Sequence, residues 1–105
     1  MDSTEEHSDI FRAKLNLETS QIAWKKLQRF FASGAALFVA AELDLVETAF
    51  QMSQDDVAQI QRWVEAGKLG KVSDEQAQAW LDADAVVWAV VVSPYVLVQP
   101  SGPQH

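Results

Sequence analysis

Val86-Val87-Trp88-Ala89-Val90-Val91-Val92-Ser93-Pro94-Tyr95-Val96-Leu97-Val98-Gln99 is the stretch that decides the fold. Branched and aromatic side chains dominate it, and these favour extended backbone, where a crowded χ1 sits easily on a pleated surface. Both alternate rows of Val86–Val92 are apolar, so both faces should be covered; a strand with one wet face would alternate apolar with polar residues. Ser93-Pro94 interrupts the run, because proline has no N–H to give to a ladder. A hairpin here would need a tight turn, and Ser-Pro suits the favoured hairpin turns poorly. The stretch therefore reads as one long strand bent at Pro94.

Working outward, Ala35-Ala36-Leu37-Phe38-Val39 is a second buried strand, and Lys68–Val72 is a short connection or small edge strand. Helical spacing accounts for most of the rest. A short helix is expected over Ser8–Asn16. A clearer one runs over Thr19–Ser33, with Ala23, Trp24, Leu27, Phe30 and Phe31 on one face, and stops at Gly34. Ile22 lies among the polar residues of that helix. Asp44 with Glu47, Ser53 with Asp56 and Ser73 with Gln76 each form the polar pair, three residues apart, that opens a helix. The helix after Ser53 carries Val57, Ile60, Trp63 and Val64 and stops at Gly67; the one after Ser73 runs to about Ala83. The fold class is α+β: four or five helices packed on a small, roughly three-stranded sheet in a single domain over residues 7–99. Residues 1–6 and 100–105 are expected to be disordered.

With 105 residues and 49% hydrophobic content, the chain is long enough and apolar enough to bury one core. It has no cysteine, which excludes disulfides, cysteine-held metals and thiol nucleophiles. The acidic start Met1-Asp2-Ser3-Thr4-Glu5-Glu6 lacks the basic and apolar parts of a signal peptide, so a cytoplasmic location is expected. The apolar runs at 30–41 and 85–98 fall short of the ~20 residues that span a bilayer, so no membrane is expected as a partner. A net charge of −7 argues against nucleic acid as a partner. Residues 12–29 form a basic block, with Arg12, Lys14, Lys25, Lys26 and Arg29 against Glu18. Its plain role is a solvated face; its sharper one is a docking patch of Lys25, Lys26 and Arg29 for an acidic partner.

Candidate chemistry is thin. The two histidines, His7 and His105, lie near the chain ends, away from any rigid frame that could hold a general base. No serine–histidine–aspartate set can be assembled, and the four glycines form no phosphate loop. Asp55-Asp56, Asp74-Glu75 and Asp82 with Asp84 could bind a divalent ion or act as acid and base. Two of these pairs sit where a helix begins, and carboxylates are favoured there by exposed N–H groups and the helix dipole. No catalytic residue, cofactor or metal ligand is therefore assigned.

Four segments in order, Leu15–Thr19, Trp24–Gly34, Leu43–Glu47 and Trp88–Gln99, resemble a small family of bacterial proteins known as domain of unknown function 2288. The resemblance spans about residues 10–99 and implies a bacterial cytosolic protein, with no activity attached. The expected function is a non-enzymatic protein-interaction module that self-associates as a homodimer or binds another protein. Its expected contact residues are Trp88, Val90, Val92, Tyr95 and Leu97, from the densest apolar stretch. The alternative is a small-ligand or divalent-metal binder, or an enzyme, using surface carboxylates such as Asp55 and Asp56.

Overall fold

A computed structural model describes the backbone of residues 3–101 and the side chains of residues 9–101. The remaining residues of both ends, and the side chain of His7, lie outside the described residues. In chain order the elements are α1 (Ser3–Glu18), β1 (Ser20–Ala23), a 3₁₀ helix (Trp24–Leu27), α2 (Gln28–Ala32), β2 (Ala36–Val39), α3 (Leu45–Ser53), α4 (Val57–Glu65), β3 (Leu69–Lys71), α5 (Asp74–Asp82), β4 (Val86–Val92) and β5 (Tyr95–Pro100). The fold is α+β, with helices on both faces of one sheet. Helix α1 includes Ser3–Glu6 and β5 includes Pro100, residues that the sequence reading left outside the domain.

The sheet has five strands rather than about three, in the order β1-β4-β5-β2-β3. Two misread segments account for the difference. The first is Val86–Gln99, which is a hairpin and not one bent strand: Val92 pairs with Tyr95, and Ser93 and Pro94 form the two-residue turn between them. The Ser93–Pro94 peptide is cis. A cis proline at the third position makes a type VI turn, which reverses the chain without the left-handed residues that primed turns demand. The second is Ser20–Ala23, which forms a strand against the outer side of β4 where a helix was expected. The pairing of Ile22 with Val87 gives β4 its second neighbour, and tertiary pairing overrides weak local helical preference. The helical spacing holds only for Trp24–Ala32, split into a 3₁₀ turn and a short helix.

Strand alternation sorts the core into two layers. Val87 and Ala89 of β4, Val96 and Val98 of β5 and Ala36 of β2 face Trp24, Leu27, Val72, Ala77 and Trp80. Val90, Leu97, Val39 and Leu69 face the opposite way, against Leu15 of α1 and Leu45, Ala49 and Phe50 of α3. Both faces of the Val-rich stretch are thus covered over its middle, as its composition predicts.

Helix starts follow local chemistry. Asp44 accepts the Glu47 N–H at 3.0 Å and Ser73 accepts the Gln76 N–H at 3.1 Å. The third pair resolves differently: Asp56 itself caps α4, accepting the Gln59 N–H at 3.2 Å, while the Ser53 hydroxyl donates back to Phe50 O at 2.6 Å. Ends of α3 and α5 use Asp55 (φ 59°) and Asp84 (φ 51°) in the left-handed conformation that Gly34 supplies after α2 and Gly67 after α4.

Trp24 locks the first layer. It is fully buried, stacks edge-on against Trp80 at 5.0 Å and Phe31 at 5.9 Å, and its indole N–H donates to Ala77 O at 3.1 Å. That bond satisfies the one polar atom the ring carries inside. Trp24→Ala should cost about 3–5 kcal/mol of stability, the usual toll for emptying a buried aromatic site. Urea denaturation measures it, and a loss below about 1 kcal/mol would contradict this packing.

Candidate interaction surface

The five residues expected at an interface do not stay together. Val90 and Leu97 are in the core, 1% and 0% exposed, beneath α1 and α3. Val92 is half-buried beside them. Trp88 and Tyr95 are open, at 38% and 39% exposure. They lie on the same sheet face but at opposite ends of it: Trp88 pairs with Gln99 and Tyr95 with Val92. Helices cover the middle of this face and leave apolar side chains showing at both ends.

At the Trp88 end the open surface is continuous. Val86, 46% exposed, stands two residues before Trp88 on the same face. Next to them on β1 are Ala23, opposite Val86, and Gln21, opposite Trp88. The Gln21 amide donates to Ser101 Oγ at 2.6 Å, and the Gln99 amide donates to Ala40 O and Leu43 O at 2.9 and 2.7 Å. These bonds tie the last strand to β1 and to the loop before α3. The result is a ledge two strands wide, β1 and the first half of β4, with Val86 and Trp88 exposed on it. The sequence reading missed Val86 and the involvement of β1, because Ser20–Ala23 was taken as helix.

The Tyr95 end is a groove. Met52, Asp55, Val57, Ile60, Val92 and Tyr95 enclose about 240 Å³ between the α3–α4 connection and the hairpin turn. A neighbouring hollow of about 440 Å³ shares Met52, Asp55 and Val92 and extends to Lys14 and Glu18 of α1.

Charged side chains have structural partners in most cases. In the basic patch, Lys25 reaches Asp84 at 3.5 Å and the Arg29 guanidinium lies 5.0 Å from the centre of the Phe30 ring. Lys26 is exposed and makes no ion pair among the described residues. The acidic pairs are divided too: Asp56 is spent on its cap, Asp82 accepts from Gln78 at 2.8 Å, and Asp74 and Glu75 occupy the first turn of α5. No group of three or more histidine or carboxylate side chains is placed to hold a metal among the described residues. No described helix is long and apolar enough to cross a membrane.

One ion pair joins the two helices of the second layer. Arg12 of α1 donates through Nε and Nη2 to the Glu47 carboxylate of α3 at 2.9 and 3.3 Å, with its guanidinium 4.0 Å from the centre of the Phe50 ring. Gln51 donates to the same carboxylate at 2.8 Å. So Glu47 does not close a reciprocal capping box; it clamps α1 instead. Hydrogen bonds from Arg12 and then Gln51 hold its carboxyl below the usual glutamate range.

One five-stranded sheet with helices on both faces and an apolar ledge at one end defines a small α+β domain. The chain belongs to the family described as protein of unknown function (DUF2288), whose model matches residues 10–100. It is similar to PA1075 from Pseudomonas aeruginosa, known from an NMR solution structure: 43% identical, covering 91% of this chain and 89% of that one, with a TM-score of 0.80. No curated protein matches the chain.

The Arg12–Glu47 clamp gives a pH dependence with a definite sign. A carboxyl whose folded pKa is depressed contributes stability above its unfolded value, near 4.3, and that contribution fades as pH falls through the folded value. Wild-type stability from this pair should therefore be level from neutrality to about pH 5 and drop below it. Glu47→Gln should be less stable at neutral pH and have a shallower acid limb. Urea midpoints from about pH 7 to about pH 3 read both, and parallel acid limbs would contradict the assignment.

Proposed function

We propose that this chain is a non-enzymatic protein-interaction module that works by associating with a second copy of itself. The observation that carries this reading is the ledge of Val86 and Trp88: two large apolar side chains side by side on the inner strand β4, 46% and 38% exposed, beyond the reach of the chain's own helices. Single exposed apolar residues are ordinary on a protein surface, but an exposed tryptophan beside a valine on a rigid strand suits an interface anchor. Two-fold dimers are the commonest way for a soluble chain to use such a surface. The cytoplasm and a homodimer remain the setting this reading assumes.

The second reading is a small-ligand binder at the Tyr95 groove. It is favoured by Asp55, whose left-handed backbone places it on the groove wall while its neighbour Asp56 caps α4. The groove itself, about 240 Å³, lies below the ordinary 300–1,000 Å³ of small-molecule sites and reaches that size only with the neighbouring hollow of about 440 Å³, so this reading ranks second.

Sedimentation velocity of the untagged protein tests the first reading. The wild type should shift from monomer to dimer between low and high micromolar concentration. Trp88→Ala should raise the dissociation constant about tenfold or more, as loss of an anchoring aromatic does. A wild type that stays monomeric at several hundred micromolar would overturn it.

A further inference from the structure

Strand β1 is the edge beside the ledge, and its hydrogen-bonding pattern fixes which groups it leaves open. The Trp24 N–H donates to Ala85 O at 2.9 Å, so Trp24 and Ala85 are a hydrogen-bonded pair of the β1–β4 ladder. Antiparallel ladders alternate, so Ile22 and Ser20 also bond toward β4, and Gln21 and Ala23 point their N–H and C=O groups away from the sheet. Resting on the self-association reading above, we propose that two copies join edge to edge through β1, antiparallel, with Gln21 of one paired to Ala23 of the other across a two-fold axis.

Three observations select this arrangement. The first is register. Pairing Gln21 with Ala23 of the second copy uses only outward-facing strand residues and makes four main-chain bonds. Shifting so that Gln21 faces its own copy would draw on Thr19, whose N–H already donates to Leu15 O at 3.0 Å. Shifting the other way would draw on Lys25, which lies inside the 3₁₀ helix.

The second is charge. An antiparallel joint brings the residues just before β1 in one copy beside those just after it in the other. Before β1 stands Glu18; after it stands Lys26. Both are exposed, and neither has an ion-pair partner within its own chain among the described residues. Glu18 ends α1 and Lys26 lies in the 3₁₀ helix, so neither is part of the ladder, but the antiparallel joint sets each Glu18 at the same end as the partner's Lys26, and two-fold symmetry makes the contact twice. This is complementarity with a second copy specifically; an arbitrary extended peptide would not supply it. It also gives the otherwise unpartnered Lys26 of the basic patch a role.

The third is continuity of the apolar surface. Ile22 would meet Ile22 of the second copy at a non-hydrogen-bonded position, where side chains come closest. On the other face, the two Val86–Trp88 ledges become one floor, with only Gln21 and Ala23 of each copy between them. Two five-stranded sheets become one of ten strands.

Ala23 provides the test, because its φ is already −64°, the angle proline requires, and its N–H serves no bond within the sheet. Ala23→Pro should leave the dilute monomer's melting temperature in place. It removes one donor per copy, two across the axis, and should weaken the dimer on the order of 30-fold by sedimentation equilibrium. Lys26→Glu should weaken it roughly five-fold, and adding Glu18→Lys should restore it to within about two-fold of wild type. A dimer unchanged by Ala23→Pro and by Lys26→Glu, yet lost in Trp88→Ala, would overturn the edge geometry while leaving self-association standing. A wild type that is monomeric throughout, its edge then open to a foreign strand, would overturn both.

Discussion

The hairpin of β4 and β5 is apolar on both faces along its middle, and the rest of the molecule is arranged to cover it. Val87, Val90, Leu97 and Val98 are 0–1% exposed. At about 25 cal/mol for each Å² of apolar surface removed from water, leaving either row wet would cost the chain heavily against its marginal stability. One row therefore draws down the 3₁₀ helix, α2 and α5, with Trp24 and Trp80 at their centre. The other draws down α1 and α3 through Leu15, Leu45 and Phe50. The Arg12–Glu47 clamp secures α1 at the rim of this second layer, and its exposed position makes it a minor contributor beside the packing.

Edges matter as much as faces. β4 is an inner strand and needs a neighbour on each side, which is why Ser20–Ala23 is extended although nothing in its four residues demands it. That recruitment moves the open edge from the valine-rich β4 to a four-residue strand, Ser20-Gln21-Ile22-Ala23, with Lys25 and Lys26 just beyond it; short edges flanked by lysine are a common way to keep a sheet from pairing at random. The sheet ends in two short edge strands, β1 and β3, and the only tryptophan among the exposed side chains stands one strand in from β1.

Much of this could be read from the sequence, and the failures have physical causes. Asp44 and Ser73 were legible because a cap is local chemistry, decided within three residues. The covered faces of Val86–Val92 were legible from two apolar rows. Two things depended on distant partners: Ile22 takes strand form only because Val87 lies beside it, and Ser93-Pro94 is a turn because Val86–Val92 pairs along its length with the residues that follow. The site suffered for the same reason. Apolar density pointed to Trp88, Val90, Val92, Tyr95 and Leu97 together, but density does not say which residues the helices will cover, and Val90 and Leu97 went to the core. Charge told a partial story: Lys25 and Arg29 found partners within the chain, and Lys26 did not.

Completion of the β1 edge by a second copy, as proposed, would show in the backbone amides of that strand. Amide hydrogen exchange of Gln21 and Ala23, followed by NMR over a range of protein concentrations, addresses it most directly. Both amides point out of the monomer's sheet. Their protection should rise with concentration while the already bonded Ile22 changes little. Exchange of Gln21 and Ala23 that stays fast and independent of concentration would contradict it.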